Sequence, residues 1–547
     1  MPAASLDPAP PPAATPAAEP FTDAERQVLA RYFTSADEPV FALRHLPQAT
    51  CAALFARYSR SGKSLRRLFL DEFWRGDAPA GPDETAGAAR ATDLFSRVLA
   101  EYGDDSVAQL AGAHVACEGV SNIATKALER GRLASYLEQS TRYVPYTDRP
   151  QGRYRYLVDP AIDAAGLGGA FRRTCDDAFA TYSAVLPPLE RVLDGRLPPA
   201  ANAGARRRAI RAAALDAARG LLPAAATSNL GIYASAQAYE ALLLRLRAHP
   251  LPEARRLHDA LLPVLRQVLP DFLQRVDEPD RGGVWSGYLA ETAAALGAAA
   301  AAWPTVAEPP AAGPTVRLLA FDPDGERAVL TAALYPHAAC PEASLRSWVD
   351  ALPDTELSRL FALAVGARGN RRHRPGRGFE RAVYTFEVVC DYGAFRDLQR
   401  HRMATVEWQA LQPVHGVTVP ELVEAAGVRP QFDRVVADLE ALHRQLRARV
   451  PACAGYALAL AHRVRWTLTC NAREAMHLVE LRSSPQGHPE YRAVALAIRD
   501  AIRDVAGHRR IADAMSYAVD DPGPLGLAGR YAAESRRPVA GDGDPLG

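Results

Sequence analysis

The chain has 547 residues, of which 48% are hydrophobic and 23% charged, and a formal net charge of +1. That length and apolar content support two or more buried cores in a soluble protein, while the near-zero charge excludes a global field that would gather nucleic acid or an anionic membrane. Nearly all the positive charge is arginine, with Lys63 and Lys126 the only lysines, and the seven cysteines are scattered without a CxxC pair, the pattern of a reduced, cytoplasmic protein.

Residues 1–21 are an Ala/Pro tract with no apolar core and no basic residue, expected to be a disordered tail and not a targeting signal. Helical patterning begins at Thr22 or Asp23, either of which can cap, with Glu25 in the first turn. Further on, the run Ser61-Gly62-Lys63-Ser64 resembles the end of a phosphate loop. Arg57 stands where that loop needs its first glycine, so the run reads as a basic turn between helices. Glu101 to Asn122 carries a turn and then a small-residue run, read as a strand packed closely at Gly112 and Gly119.

Glu129 to Tyr143 organises the rest, because a second version of it occurs at Gln399 to Pro413. Placing Arg130 on Arg400 aligns Arg132 with Arg402, Ala134 with Ala404 and Ser121 with Asp391, two good N-caps. Each copy therefore predicts a capped helix of about nine residues that delivers two arginines into the following loop. Gly169 to Leu269 reads as a long alanine-rich helical region, and its apolar tracts are too short and too weak for a membrane span. Residues 303–315 form a Pro/Ala linker, beyond which the pattern restarts as strand, turn and helix. Glu380 to Cys390 is rich in β-branched and aromatic residues and reads as a strand. Residues 521–547 read as a second disordered tail. Late in each half a further anchor matches: Leu244, Arg245, Glu253 and Arg255 share their spacing with Leu481, Arg482, Glu490 and Arg492. The first half holds about 33 extra residues between its anchors, a difference that loops tolerate.

These motifs resemble the flavin-dependent thymidylate synthases. The second copy has Arg400-His401-Arg402 and then Asn471-Ala472-Arg473, while the first ends in Ser140, Arg142 and Tyr143 where that family has its Ser, Arg and Tyr. The departures are complementary. The first copy has Gly131 in place of the signature histidine and no Asn-Ala-Arg. The second has Trp408, Ala410 and Gln412 where Glu138, Ser140 and Arg142 stand in the first. By this resemblance the fold is α+β, two tandem domains at 22–302 and 316–520, each a mixed sheet with long helices, packed as a pseudo-dimer that dimerises again. The implied reaction is reductive methylation of dUMP to dTMP with methylenetetrahydrofolate and FAD, reduced by NADPH.

Family members build their sites between subunits, so the resemblance implies a composite site. Its nucleotide groups would be Glu138, Ser140, Arg142 and Arg219 from the first half. Its flavin groups would be Arg400, His401, Arg402, Asn471, Arg473 and His477 from the second. Arg245 and Arg482 are the two candidates for orienting the base, and His401, Ser140 and Arg482 are the expected catalytic groups. Asn471 reads equally as an N-cap, and arginines at a helix C-terminus also complement its dipole. His114, His373 and His488 lack ligand spacing, and no metal site is expected. The alternative is a homologue that keeps flavin or nucleotide binding, or an interaction role, without catalysis. Nucleic-acid and membrane partners are not expected.

Overall fold

The computed structural model describes residues 20–58, 61–74, 109–303, 311–521, 523 and 526–536. Residues 1–19, the turn at 101–108, most of the linker and residues 537–547 lie outside these residues. The stretch expected to be a disordered C-terminal tail is instead a helix at Leu527–Ser535, held down by its buried Leu527 and by Arg530 on Asp216 at 2.6 Å. The first half supplies β1 (Gly112–Ser121), β2 (Ala134–Glu138) and β3 (Thr227–Ser235), and the second supplies β4 (Thr315–Phe321), β5 (Val383–Asp391), β6 (Thr405–Trp408) and β7 (Arg463–Asn471). The sheets run β1-β3-β2 and β4-β5-β7-β6, so β5, β7 and β6 repeat the order of β1, β3 and β2, with β4 added at an edge. Every pairing is antiparallel, which corrects the expected mixed sheets. The reason lies in the strand, helix, strand unit: β1 and β2 do run parallel, but β3 lies between them and pairs with both.

Helices follow each strand. α1 (Asn122–Leu128) succeeds β1, and α2 (Gly168–Arg196) and α3 (Ala203–Ala218) cross back before β3, which leads into α4 (Ala236–Ala248) and α5 (Pro252–Val268). In the second half α6 (Tyr392–Leu398), α7 (Arg429–Arg449), α8 (Ala472–Arg482) and α9 (Pro489–Asp504) follow the same plan. The signature helices are thus seven residues long, shorter than expected. Both end where their arginine-bearing loops begin. The alanine-rich region is not continuously helical either, because β3 interrupts it with alternating burial along Thr227–Ser235. Small side chains at two of its four buried positions, Ser228 and Ala234, shorten that alternation in the sequence to Leu230 and Ile232. The extra residues of the first half include α3, a whole helix of 16 residues, ten of them buried.

Capping sets the strand-to-helix corners. Ser121 and Asp391 each accept the N–H of the residue three further on, Ala124 at 3.1 Å and Ala394 at 2.5 Å. Behind them the matched carboxylates Glu253 and Glu490 accept the backbone N–H of Ser121 and Asp391, at 2.9 and 3.3 Å. Burial, and then repulsion from Glu490, push the Asp391 carboxyl up to about 8. At the N-terminus Thr22 and Glu25 form a capping box. Ser61 to Lys63 is a turn and Ser64 caps the short helix Leu65–Leu68, in accord with the sequence.

The halves meet through equivalent backbone. Pro223, four residues before β3, faces Ala459, four residues before β7. Around them Leu460 N–H donates to the Leu222 carbonyl at 2.9 Å and Ala224 N–H to the Leu458 carbonyl at 2.7 Å. A pseudo-two-fold axis therefore passes between Pro223 and Ala459. Cores cross it too. Phe179, Leu189 and Leu215 of α2 and α3 share one apolar cluster with Phe432, Leu439 and Trp466. Leu442, Leu446 and Tyr456 of the second half pack into the first half's cluster. Among the described residues, no helix is long and apolar enough to cross a membrane.

Candidate active site

A cavity of about 30 Å³ opens where the turn after β2 meets α6. The first half contributes Ser140, Arg142 and Arg219, and the second Gly393, Arg396, Asp397 and Arg400. On α6 and its continuation those four positions fall at i, i+3, i+4 and i+7, one helix face. Gly393 makes room there, since a Cβ would meet the Arg219 guanidinium at 3.2 Å.

Charge density is high and mostly paired. Glu138, whose side chain is fully buried, accepts from Lys126 at 3.2 Å, from Arg400 at 2.6 Å and from Arg396. Burial alone would raise its carboxyl, but Arg396, Lys126 and Arg400 outweigh it and hold Glu138 well below the usual range. Asp216, on α3, behaves likewise: burial opposes ionisation, and Arg142 and Arg530 overcome it. Arg142 donates to Asp216 at 2.7 and 3.1 Å, to the Tyr491 hydroxyl at 2.8 Å and to the Gln486 carbonyl. Asp397 lies 3.5 Å from Arg219. What stays unpaired is guanidinium. Arg219 Nη2, Arg396 Nε and Arg400 Nε are buried with no hydrogen-bond partner among the described residues, and buried donors of this kind call for an explanation. An oxyanion entering the cavity would supply it.

A second group adjoins the first through Tyr491, whose ring lies 5.7 Å from the Arg142 guanidinium and 5.6 Å from that of Arg482. Arg482 Nε–H donates to His401 Nε2 at 3.1 Å, which leaves the proton of the imidazole on Nδ1, 2.8 Å from the Glu474 carboxylate. Burial, then Arg482 and Arg374, lower His401 well below its ordinary value, so the ring is neutral. His477, its ring 5.3 Å away, is brought down to about 4 by burial and then by His401. Among the described residues His401, Glu474 and His477 form one group with ligand atoms close enough for a metal. Arg482 and Arg374, which donates to His477 Nδ1 at 2.9 Å, occupy the lone pairs that a cation would need.

The sequence candidates divide accordingly. Ser140, Arg142, Arg219 and Arg400 line the one cavity, and Arg482 and His401 stand beside it. Glu138 does not reach the cavity, being buried behind Arg396 and Arg400. Arg245 lies on the other side of the pseudo-dimer, its Nη2 3.5 Å from where a Cβ on Gly131 would be. Asn471 caps α8, accepting the Glu474 N–H at 2.9 Å. Arg402 is exposed. Arg473 donates to the Pro375 carbonyl at 2.9 Å and lies 3.7 Å from Glu380. Asp216, Arg396, Asp397, Glu474, Tyr491 and Arg374 are additions that the sequence reading missed. Helical spacing from Arg400 could have found Arg396 and Asp397, and the basic run Arg371 to Arg377 could have found Arg374.

Similarity to known proteins agrees with the motifs. A profile of the family described as thymidylate synthase complementing protein matches residues 44–271 and 318–507. A UPF0159 protein of Chlamydia pneumoniae is 34% identical over 498 residues, covering 89% of this chain and 93% of its own. A UPF0159 protein of Thermoplasma acidophilum is 30% identical over 526 residues, covering 90% and 99%. A flavin-dependent thymidylate synthase of Mycobacterium sp. (strain JLS) is 33% identical over 178 residues, 32% of this chain and 66% of that protein.

Proposed function

Because the chain belongs to the thymidylate synthase complementing protein family, we propose that it is a flavin-dependent thymidylate synthase with one composite site per chain, converting dUMP to dTMP. The observation that carries this reading is the convergence of Ser140, Arg142 and Arg219 with Arg400 on one cavity that retains unpaired guanidinium N–H groups. A nucleotide phosphate matches that demand, since forked arginine donors and a hydroxyl bind its oxygens with charge-assisted hydrogen bonds.

Arg219 and Ser140 meet the phosphate, with Arg142 fixed between Asp216 and Tyr491 as the wall of its pocket. Arg482, stacked on Tyr491, is the base-orienting arginine, and the neutral His401 holds it by its Nε–H. Cofactor donors are of the right kind. Arg374, Arg402 and Arg473 with His477 give a cationic, planar set suited to an anionic flavin or its diphosphate. FAD, when bound, supplies the hydride that reduces the methylene unit taken from methylenetetrahydrofolate, NADPH having reduced it beforehand. The residues of the chain contribute position and electrostatics. A homodimer of chains is part of this reading, and Leu137 and Tyr233, 81% and 47% exposed on the first sheet, offer it an apolar face.

One observation favours nucleotide binding without turnover: neither motif copy is complete, the first having Gly131 for the histidine and the second Ala410 and Gln412 for the serine and arginine. The visible spectrum of the protein with FAD, excess removed, decides between the two. A retained flavin band that shifts on adding dUMP supports the synthase and calls for a turnover assay. Binding of dUMP by a protein that stays colourless supports the second reading.

A further inference from the structure

The pseudo-two-fold relation that pairs Pro223 with Ala459 carries the composite cavity onto a second one. There α1 and the loop after it replace α6, so that Ile123, Ala127 and Arg130 stand where Gly393, Asp397 and Arg400 stand in the first. On the facing side Ala410, Gln412 and Gly455 occupy the places of Ser140, Arg142 and Arg219. One hydroxyl, two guanidinium groups and one carboxylate are thus gone. The volume grows from about 30 to about 490 Å³, within the range of small-molecule sites.

Apart from Arg447, exposed at its edge, what remains in this cavity is neutral and planar in its chemistry. Trp408 forms part of the wall, with the Arg130 guanidinium 5.2 Å from its ring. Arg130 is itself neutralised by Glu407, 2.6 Å away. Gln409 and Gln412 line the cavity together with His443. His443 is 3% exposed, and its Nδ1 has no hydrogen-bond partner among the described residues. Burial, then Arg447, lower its imidazole, so it offers a neutral ring nitrogen and no positive charge.

We infer that this cavity is a second binding site, for an uncharged nitrogen heterocycle of nucleobase or nucleoside size that carries no phosphate. Its ring packs on Trp408, and its amide edge is met by Gln409, Gln412 and His443 Nδ1. Loss of the phosphate-binding groups leaves only Arg447, exposed at the edge, besides the Arg130–Glu407 pair, so a phosphate gains far less here than in the composite cavity. The inference rests on the nucleotide reading of the composite cavity only for the choice of ligand family.

The test is equilibrium dialysis of the full chain against 2′-deoxyuridine and, separately, dUMP. Deoxyuridine should bind with one equivalent per chain while dUMP is saturating. Ala410→Trp, which fills the second cavity, should abolish that binding and leave dUMP affinity unchanged. The milder Gln412→Ala should weaken deoxyuridine about tenfold, one neutral hydrogen bond. Arg219→Ala should do the reverse, weakening dUMP alone. Deoxyuridine that fails to bind beside dUMP, or whose binding ignores both cavity variants, overturns the inference. Failure of dUMP to bind overturns the proposed function and leaves the deoxyuridine result to stand by itself.

Discussion

Arg219 lies almost wholly buried against a glycine, with one guanidinium nitrogen unpaired. Replacing it with alanine should weaken dUMP binding by about 10- to 100-fold, the range for a hydrogen bond to a charged group, as read by calorimetry. Lysine should recover only part of the loss, because it lacks the fork. Asp391 offers a pH-dependent counterpart. Its folded carboxyl is raised to about 8, so the protonated native form contributes stability that is complete below the ordinary carboxylate range and is lost as pH rises through about 8. Asp391→Asn keeps an N-cap oxygen and cannot titrate. Its melting temperature should therefore fall less than that of the parent between pH 5 and 9 in thermal scans. Ser140, Arg142, Arg219 and Arg400 were legible because they sit in fixed motifs. Their counter-charges were not: Asp216 is 74 residues from Arg142, and Glu474 is 73 from His401. Tertiary packing, and no local spacing, selects such partners.

Caps decide where the elements begin, and they were read best. Ser121 and Asp391 close the corners that the sequence assigned to them, because capping is local chemistry. Asn471 proves to be a cap as well, its Oδ1 spent on the Glu474 N–H. Asn471→Ala should cost about 1 kcal/mol in denaturant unfolding and Asn471→Ser should restore it. A flavin ligand at that position would instead lose cofactor affinity in both variants. β3 was the element that the sequence concealed. Only Leu230 and Ile232 of its four inward positions are large, the outer two being Ser228 and Ala234, so the period of two is short and disappears into an alanine-rich background. The antiparallel order was hidden for a related reason, since it depends on a strand that enters the sheet about 90 residues after β2.

At the scale of the whole molecule, the repeat was visible and the interweaving was not. Two motif copies reveal themselves by their offset, but the helices that cross the axis bury mostly alanine, leucine and other apolar residues in patterns any core would use. Since α2 and α3 bury their apolar faces with Phe432, Leu439 and Trp466, residues 1–303 and 304–547 produced as separate chains should each lack near-ultraviolet circular dichroism. Mixing the two from denaturant should restore it. Two halves that fold alone would show that the shared cluster adds little.

The pairing of Pro223 with Ala459 also has a genetic consequence. In a symmetric homodimer every substitution arrives in both subunits, so a site can lose its serine or arginine only by losing it everywhere. Once the two repeats are translated as one chain, each mutation is entered once, and one cavity can drift while its twin remains under selection. The changes at Gly131 in one repeat and Ala410 in the other then hold the fusion in place, because neither repeat by itself encodes the full set of groups. A return to a homodimer of one repeat would require restoring the groups that the retained repeat has lost.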